Sequence, residues 1–358
     1  MTVIARAPVR ISFGGGGTDL PAYYERHGGL VVSTTIGYHV YTILSPGPSD
    51  EIQIISADHR PASQPAVCED LIWNRDLRLP KAITNYFNVR DGVTIFLAPQ
   101  VPPGTGLGSS GSVAVSMIKA LAFWCGLDLG SAEVGELACY IEIDKMGMPV
   151  GKQDQYAAAF GGLNCITFSR DGVNVEPLHI SAPTREALEN GLMLFFTGTS
   201  SQSSTILRHQ QEASQKGDRE TIRRLDAIKA LAREIQTALQ RGDIASFGEL
   251  LHRSWLEKRQ LVEGITNPFL DQCYRTARQH GATGGTVTGA GGGGFLMLYC
   301  PEEQQGAVTE ALAEAGLQRW PFALERGGVQ VMRATSWSQN HAANGIPIVM
   351  EGVQLDIG

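Results

Sequence analysis

The chain has 358 residues, of which 43% are hydrophobic and 18% charged, and its formal net charge is −7. This length suits about two domains of roughly 100–200 residues each. The acidic balance argues against general nucleic-acid binding, which usually needs a basic surface. No apolar run reaches the length of about 20 residues that a membrane span needs, so neither a nucleic acid nor a membrane is an expected partner.

The amino-terminal residues are too short and too interrupted an apolar segment for a secretory signal. None of the six cysteines forms a CxxC pair, and we expect free, buried thiols in a reducing compartment. The histidines lack zinc-site spacing. We therefore expect a cytoplasmic protein.

The chain begins with a predicted strand over residues 3–13 that bends at Pro8 and runs into four consecutive glycines, residues 14–17. Glycines in such a run cost conformational entropy and stabilise neither strand nor helix. Thr18 and Asp19 follow directly. A flexible linker is one interpretation, but this position favours a loop that faces a ligand.

The following residues predict a mixed α+β region. Alternating apolar residues predict paired strands over 29–44 and single strands over 51–56 and 92–98. A helix is predicted over 79–86. A helix that follows the last of these strands would cover the sheet.

That helix begins in the most informative stretch, residues 101–119, where a Pro/Gly loop becomes an amphipathic helix near Ser109. A helix N-terminus with bare N–H groups favours phosphate. The stretch is not a P-loop, because Ser109 follows Gly108 where lysine is needed. It is not a dinucleotide fingerprint either, because its glycines read G-x-G-x-G. A glycine turn capped by serine is the structural alternative.

A second helix is predicted over 132–145, with Glu142 near its end. Residues 151–162 then place Asp154 between two glutamines at the head of a run of small residues. Asp154 fits either a chemical role or a plain helix cap. A strand is predicted within 161–168, and the polar residues 171–190 are expected to cross to a second domain.

The second half predicts a buried strand over 192–198 and a hydroxyl-rich segment, 199–205, that is either a helix cap or a substrate loop. Helices are predicted over 206–215, 225–239 and 244–262, and from Asn267 and Pro268 onward. A second glycine concentration, residues 281–294, leads into a strand over 295–300. A helix over 303–315 and a strand over 328–334 would complete a strand–helix–strand unit. Residues 336–358 form a tail, which we interpret as an extra hairpin, a dimer contact or a loose end.

Three segments together resemble the GHMP kinases, the superfamily of galacto-, homoserine and mevalonate kinases. These segments are residues 7–19, 102–112 and 288–294, and the likeness extends over about residues 3–335. Any one segment is weak evidence, whereas three in the family's order are strong. The first segment is most similar to that of the D-glycero-D-manno-heptose 7-phosphate kinases.

The resemblance implies an α+β, two-domain fold with the active site in the cleft between the domains. It implies an N-terminal ribosomal-protein-S5-like α/β domain over residues 1–185, which binds ATP. It implies a C-terminal ferredoxin-like α+β domain over residues 186–335, followed by the tail.

The resemblance also implies ATP and Mg²⁺ as cofactors. The residues expected to bind ATP are Pro103, Gly104, Thr105, Gly106, Leu107, Gly108, Ser109, Ser110, Gly111 and Ser112. The residues expected to bind the sugar are Gly16, Gly17, Thr18, Asp19, Gly291 and Gly292. Ser110 and Glu142 match the metal ligands. Asp154 matches the catalytic base, and Arg10 matches the basic residue that approaches both the transferred phosphate and this aspartate, which it should keep ionised.

One position departs from the family pattern. Third motifs of the family often have a lysine where Thr286 stands. If that lysine holds a substrate phosphate, a phosphorylated substrate is less well supported. Arg10, Arg26, Lys152 and Arg208 are alternative sources of positive charge, and the sequence does not choose among them.

These features predict an ATP-dependent kinase that phosphorylates the anomeric hydroxyl of D-glycero-D-manno-heptose 7-phosphate. A kinase of an unphosphorylated sugar, such as fucose, galactose or mannose, is the close alternative. A non-catalytic nucleotide or sugar sensor on the same fold is a further one. A kinase of a four-carbon or isoprenoid alcohol is disfavoured by the Thr18–Asp19 element. A homodimer is left open.

Overall fold

The described part of the chain contains both strands and helices, with runs of consecutive helices in each half. A computed structural model describes residues 1–47, 52–56, 77–89, 92–199 and 203–334. The strands are β1 (Thr2–Gly14), β2 (Gly29–Pro46), β3 (Ile52–Ser56), β4 (Val93–Pro99), β5 (Leu163–Ser169), β6 (Gly172–Pro177), β7 (Leu192–Phe196), β8 (Gly284–Val287), β9 (Phe295–Tyr299), β10 (Gln318–Trp320), β11 (Leu324–Glu325) and β12 (Gln330–Ala334).

The helices are α1 (Pro21–His27), α2 (Arg78–Tyr86), α3 (Ser109–Trp124), α4 (Ser131–Cys139), α5 (Gln153–Phe160), α6 (Ala182–Gly191), α7 (Ser203–Gln215), α8 (Arg219–Arg241), α9 (Ile244–Lys258), α10 (Pro268–Gln279) and α11 (Gln305–Glu314). They agree with the predictions in part: α1 and α6 were not predicted, and α8 begins six residues before its predicted start. A π-helical turn, Tyr140–Lys145, continues α4, and a 3₁₀ turn, Glu302–Gln304, precedes α11.

Two sheets carry the fold. The larger sheet has the order β12-β1-β2-β4-β3, and β11, β5 and β6 extend it alongside β2. The smaller sheet has the order β10-β7-β9-β8 and is antiparallel throughout. One hydrophobic core joins β1 and β2 to α8, α9 and strands of the smaller sheet, so the two sheets share buried side chains.

Strand β1 changes the core that it contacts at a register shift between Pro8 and Val9. Before the shift, Ala7 lies in a core that includes residues of α3 and α5. After it, Val9 lies in the core with α8 and α9, while Arg10 reaches α5. An irregularity in strand pairing re-aims side chains in this way. The register shift therefore lets the guanidinium of Arg10 reach α5, where it binds Asp154.

Residues 29–44 are one long strand and not the predicted pair. The first part of β2 pairs with β5 and the second part with β4. Gly37, the natural place for a hairpin turn, does not adopt positive φ. A tight hairpin needs that conformation, so the chain continues straight past Gly37 and changes partners.

Two further expectations are corrected. The polar residues 171–190 contain β6, which pairs with β5 in the larger sheet, before α6 begins. The final strand, β12, does not complete the strand–helix–strand unit, because it pairs with β1; β10 takes that place beside β7. The division between domains at residues 185 and 186 stays a prediction, and the 336–358 tail lies outside the described residues.

Among the described residues, five cysteines carry free thiols, and all of them except the exposed Cys125 are buried. Cys68 lies outside the described residues. None of the helices in the described part of the chain is both long enough and apolar enough to cross a membrane.

Candidate active site

The G-x-G-x-G loop before α3 has a backbone that only glycine adopts easily. Gly104, Gly106 and Gly108 have φ of +73°, +77° and +77°. A Cβ added at Gly106 would lie 2.5 Å from the carbonyl oxygen of Thr288, so this loop is pressed against residues 288–294. Residues 14–17 are called the first glycine loop below, residues 102–112 the second and residues 288–294 the third. Gly108 is the N-cap of α3 and provides no side-chain acceptor for the first N–H groups of the helix. Those donors are therefore available to an anion.

Asp154 and Arg10 meet beside this helix start. Arg10 donates from Nε and Nη2 to Asp154 Oδ1, at 2.8 and 2.6 Å, and from Nη1 to the carbonyl oxygen of Gly106 at 2.5 Å. A Cβ added at Gly111 would lie 2.7 Å from Asp154 Cβ, so the aspartate packs directly on the first turn of α3. Arg10 is 5% exposed in its side chain and Asp154 is 27% exposed, so the carboxylate is the more open of the two groups.

The first turn of α5 points consecutive side chains at three different parts of the site. Gln153 donates to Asp19 from its backbone N at 3.2 Å and from Nε2 at 3.1 Å. Asp154 binds Arg10, as described above. Gln155 donates from Nε2 to Glu142 Oε2 at 2.6 Å. Successive helix residues diverge by about 100°, so a short segment links the first glycine loop, the cation and the buried glutamate.

Asp19 lies beneath the first glycine loop and is 2% exposed. Its carboxylate accepts from the backbone N of Gly17 at 2.9 Å in addition to Gln153. Burial raises the pKa of Asp19, and the charge of Asp154 raises it further. The neighbouring Thr18 is fully buried; its hydroxyl donates to the carbonyl oxygen of Gly15 at 2.8 Å and accepts from the backbone N of Leu30 at 3.0 Å. The pair therefore fixes the shape of the loop, and its predicted contact with a sugar stays a prediction.

Glu142 and Ser110 form the candidate metal site. Ser110 Oγ donates to Glu142 Oε1 at 2.8 Å. Glu142 is 1% exposed and lies in the π-helical turn, a feature common at functional sites. Burial raises the pKa of Glu142 to about 7, although the bonds from Gln155 and Ser110 oppose that rise.

The donor set of this site fits Mg²⁺. It consists of hard oxygens, and the buried Gln155 Oε1 beside them has no hydrogen-bond partner. No group of three or more His, Cys, Asp or Glu side chains in the described residues would hold a metal ion by itself. Mg²⁺ typically uses one or two carboxylates together with substrate phosphates. Ser110 and Glu142 would supply the protein oxygens of such a site, and the phosphates of ATP would supply the others.

The third glycine loop contacts the second one and also receives a lysine that the sequence did not indicate. Thr288 Oγ1 donates to the carbonyl oxygen of Thr105 at 2.9 Å. Lys258, the last residue of α9, donates from Nζ to the carbonyl oxygens of Val287 at 2.7 Å and Gly289 at 2.8 Å. Its Nζ also lies 3.5 Å from Thr286 Oγ1, the position where the family pattern often has lysine.

The structure brings most of the predicted site residues together, with clear differences among them. The starts of α3 and α5 bring together Arg10, Asp19, Asp154, Glu142 and residues 105–112. Pro103 and Gly104 are exposed at the rim. Gly291 and Gly292 adopt φ of +96° and +79°, and Gly292 N donates to the carbonyl oxygen of Ile265.

Of the alternatives to the missing lysine at position 286, Arg10 lies in the site, where it binds Asp154. Arg26 and Arg208 are exposed, and Lys152 is paired with Glu136 at 3.2 Å. Sequence reasoning missed Gln153, Gln155 and Lys258. The two glutamines had a signal, since they flank Asp154, whereas Lys258 had none.

Known proteins resemble this chain in sequence and in structure. A family model described as "GHMP kinases N terminal domain" matches residues 77–162, and one described as "GHMP kinases C terminal" matches residues 227–318. The D-glycero-alpha-D-manno-heptose 7-phosphate kinase of Campylobacter jejuni is 31% identical over 339 residues, which are 93% of this chain and 99% of that protein.

Two other relatives bear on the substrate. The L-fucokinase/L-fucose-1-P guanylyltransferase of Bacteroides fragilis is 24% identical over 333 residues, which are 84% of this chain and 35% of that protein. A crystal structure of a D-glycero-D-manno-heptose 1-phosphate kinase from Bacteroides thetaiotaomicron superimposes with a TM-score of 0.72 at 28% identity. It covers 93% of this chain and 100% of that one.

Proposed function

The chain belongs to the GHMP kinases, and on that premise we propose that it transfers the terminal phosphate of ATP to the anomeric hydroxyl of D-glycero-D-manno-heptose 7-phosphate. As a member of the family it is an ATP-dependent phosphotransferase that acts on a sugar hydroxyl. The observation that carries the proposal is the position of Asp154, held by Arg10 against the start of α3. The similarity to the C. jejuni heptose kinase supports the choice of sugar.

Asp154 would accept the proton of the sugar hydroxyl. Arg10 binds only Oδ1 in this structure, which leaves Oδ2 to face an incoming hydroxyl. As the proton moves to Asp154, the sugar oxygen attacks the terminal phosphorus and ADP leaves. Such a transfer depends on positioning and on neutralising oxygen charge more than on covalent chemistry. Arg10 contributes to both, because it orients the carboxylate and stays charged throughout.

The start of α3 would bind the phosphates of ATP. Its first N–H groups and the flanking glycines place donors at one end of a 16-residue helix, where the helix dipole also favours an anion. Ser110 and Glu142 would hold Mg²⁺ at the same end. When bound, the ion supplies positive charge to the phosphate oxygens.

A kinase of an unphosphorylated sugar is the second candidate function. The similarity to part of the B. fragilis protein, whose name includes L-fucokinase, favours it, as does threonine in place of lysine at position 286. An ADP-release assay separates the two candidates when heptose 7-phosphate, fucose, galactose and mannose are offered with ATP and Mg²⁺. The proposal expects ADP mainly with the phosphorylated heptose, and ADP only with a plain sugar would overturn it.

A further inference from the structure

Lys258 holds the backbone on both sides of Thr288. Its Nζ donates to the carbonyl oxygens of Val287 and Gly289, the two residues that flank this threonine. Burial of the ammonium lowers the pKa of Lys258 to about 7, and the nearby charge of Arg10 lowers it too. An anion placed near Lys258 would favour its charged form.

The residues that Lys258 holds, 287–289, also contact the second glycine loop, which precedes α3. A Cβ added at Gly289 would lie 2.5 Å from Gly106 Cα, and Gly106 is the residue whose carbonyl oxygen accepts from Arg10. Lys258 and Arg10 therefore support the same pair of touching loops from two sides. The chain contains no cis peptide among the described residues. With the Gly289 carbonyl turned to Lys258, the N–H of Ala290 points the opposite way.

We propose that Lys258 is a positioning residue for the phosphates of ATP, which fixes the third glycine loop against the second and places a positive charge beside position 286. The inference deepens the proposed function and depends on it for the identity of the anion. Thr286 Oγ1 lies 3.5 Å from Nζ of Lys258, so a lysine at position 286 would enter the same space from the neighbouring strand.

Lys229 offers a matched control. Its Nζ also donates to two backbone carbonyl oxygens, those of His27 at 2.8 Å and Gly28 at 3.2 Å. It joins α8 to the end of α1, away from the second and third glycine loops. Lys229→Met therefore reports what the loss of a carbonyl-binding lysine does to the protein in general.

The test compares calorimetric titrations of Lys258→Met, Lys258→Arg and Lys229→Met with ATP and Mg²⁺, and with adenosine. Lys258→Met is expected to weaken ATP binding about tenfold, the scale of one lost charged hydrogen bond. Lys258→Arg should lose less than about threefold and Lys229→Met less than about twofold, with adenosine binding the same in all. Thr286→Lys added to Lys258→Met should recover most of the lost affinity.

Several results would overturn the proposal. Unchanged ATP binding by Lys258→Met would do so, and so would an equal loss of adenosine and ATP binding, which indicates general damage. A KM increase confined to the phosphorylated sugar would assign the charge to the acceptor instead. If Lys258→Met does not fold, Lys258→Arg and Lys258→Arg with Thr286→Lys carry the test. A wild type that binds ATP and releases ADP with no sugar would contradict the proposed function, while these titrations would still decide the role of Lys258.

Discussion

Asp154 Oδ1 accepts two hydrogen bonds from one guanidinium, at 2.8 Å from Nε and 2.6 Å from Nη2 of Arg10. The remaining Nη1 of Arg10 donates to the carbonyl oxygen of Gly106 at 2.5 Å. The planar fork of arginine allows one side chain to make all three bonds. The carboxylate and the glycine loop are thus linked through Arg10, which both of them bind.

Replacing Asp154 by asparagine keeps the size of the side chain but removes the proton acceptor. We expect kcat to fall about 10²–10⁴-fold, the usual contribution of a positioned base. The Kd for ATP should change little, because Arg10 keeps its bond to Gly106. A coupled ADP assay and an ATP titration measure the two effects. Asp171→Asn, at an exposed turn, is the control. Near-normal turnover by Asp154→Asn would exclude this residue as the base.

Replacing Arg10 by lysine keeps the positive charge but loses the fork. A lysine cannot bind Asp154 and Gly106 in the same geometry, so we expect kcat to fall about 10–100-fold through misplacement of the carboxylate. Arg6→Lys, on the same strand, is a suitable comparison because Arg6 bonds to Gln330 at the surface. If Arg10→Lys and Arg6→Lys have the same turnover, the fork geometry is not needed.

Replacing Gly111 by alanine tests the packing of α3 on Asp154. The new Cβ would lie 2.7 Å from Asp154 Cβ, so α3 or α5 has to move. We expect a loss of about 1–3 kcal/mol in the free energy of unfolding, the usual cost of overpacking, together with at least a tenfold loss of kcat, the scale that misplacement of a reacting group produces. Denaturant unfolding and the ADP assay measure these quantities.

Gly306→Ala is the matched control for that change, since Gly306 is also within a helix but has open space around its Cβ position. Alanine there should be neutral or stabilise the protein by up to about 1 kcal/mol. Equal effects of the two substitutions on stability would mean that α3 and α5 do not pack as closely as described.

The buried Glu142 should make stability fall as pH rises when no metal is present. Burial raises its pKa from 4.5 to about 7 in the folded chain. Between those values the folded chain holds a proton that the unfolded chain releases, so stability is lost as pH rises through this window. The loss should not exceed about 3 kcal/mol.

Thermal melts in EDTA, taken between about pH 5 and pH 8, follow this dependence from just above the ordinary pKa of a glutamate to just above the raised pKa of Glu142. Glu142→Gln cannot release a proton, so its melting temperature should fall less than that of the wild type as pH rises. Melting curves that shift in parallel for the two proteins would show that Glu142 does not carry the effect.

The local parts of the site were predictable from the sequence. Helix α3 begins at Ser109 as expected, because the glycines and serines that decide its start are neighbours in the chain. The position of Asp154 in the first turn of α5 followed from the same local signals. Asp154 does not act as a simple helix cap, because its carboxylate binds Arg10, which is 144 positions away in the sequence.

The non-local parts were not predictable, because they depend on which elements pair. Alternation identified β12 as a strand but gave no information on its partner, which is β1. Lys258 lies 28 residues before Thr286 and at the end of a helix predicted only to pack. Only the fold places its ammonium against the third glycine loop.

The most direct test of the central claim is identification of the product by phosphorus NMR after incubation with ATP, Mg²⁺ and D-glycero-D-manno-heptose 7-phosphate. We expect a second sugar phosphate resonance coupled to the anomeric proton in the wild-type reaction and none with Asp154→Asn. A new phosphate on any other carbon, or an equal yield with Asp154→Asn, would contradict the account.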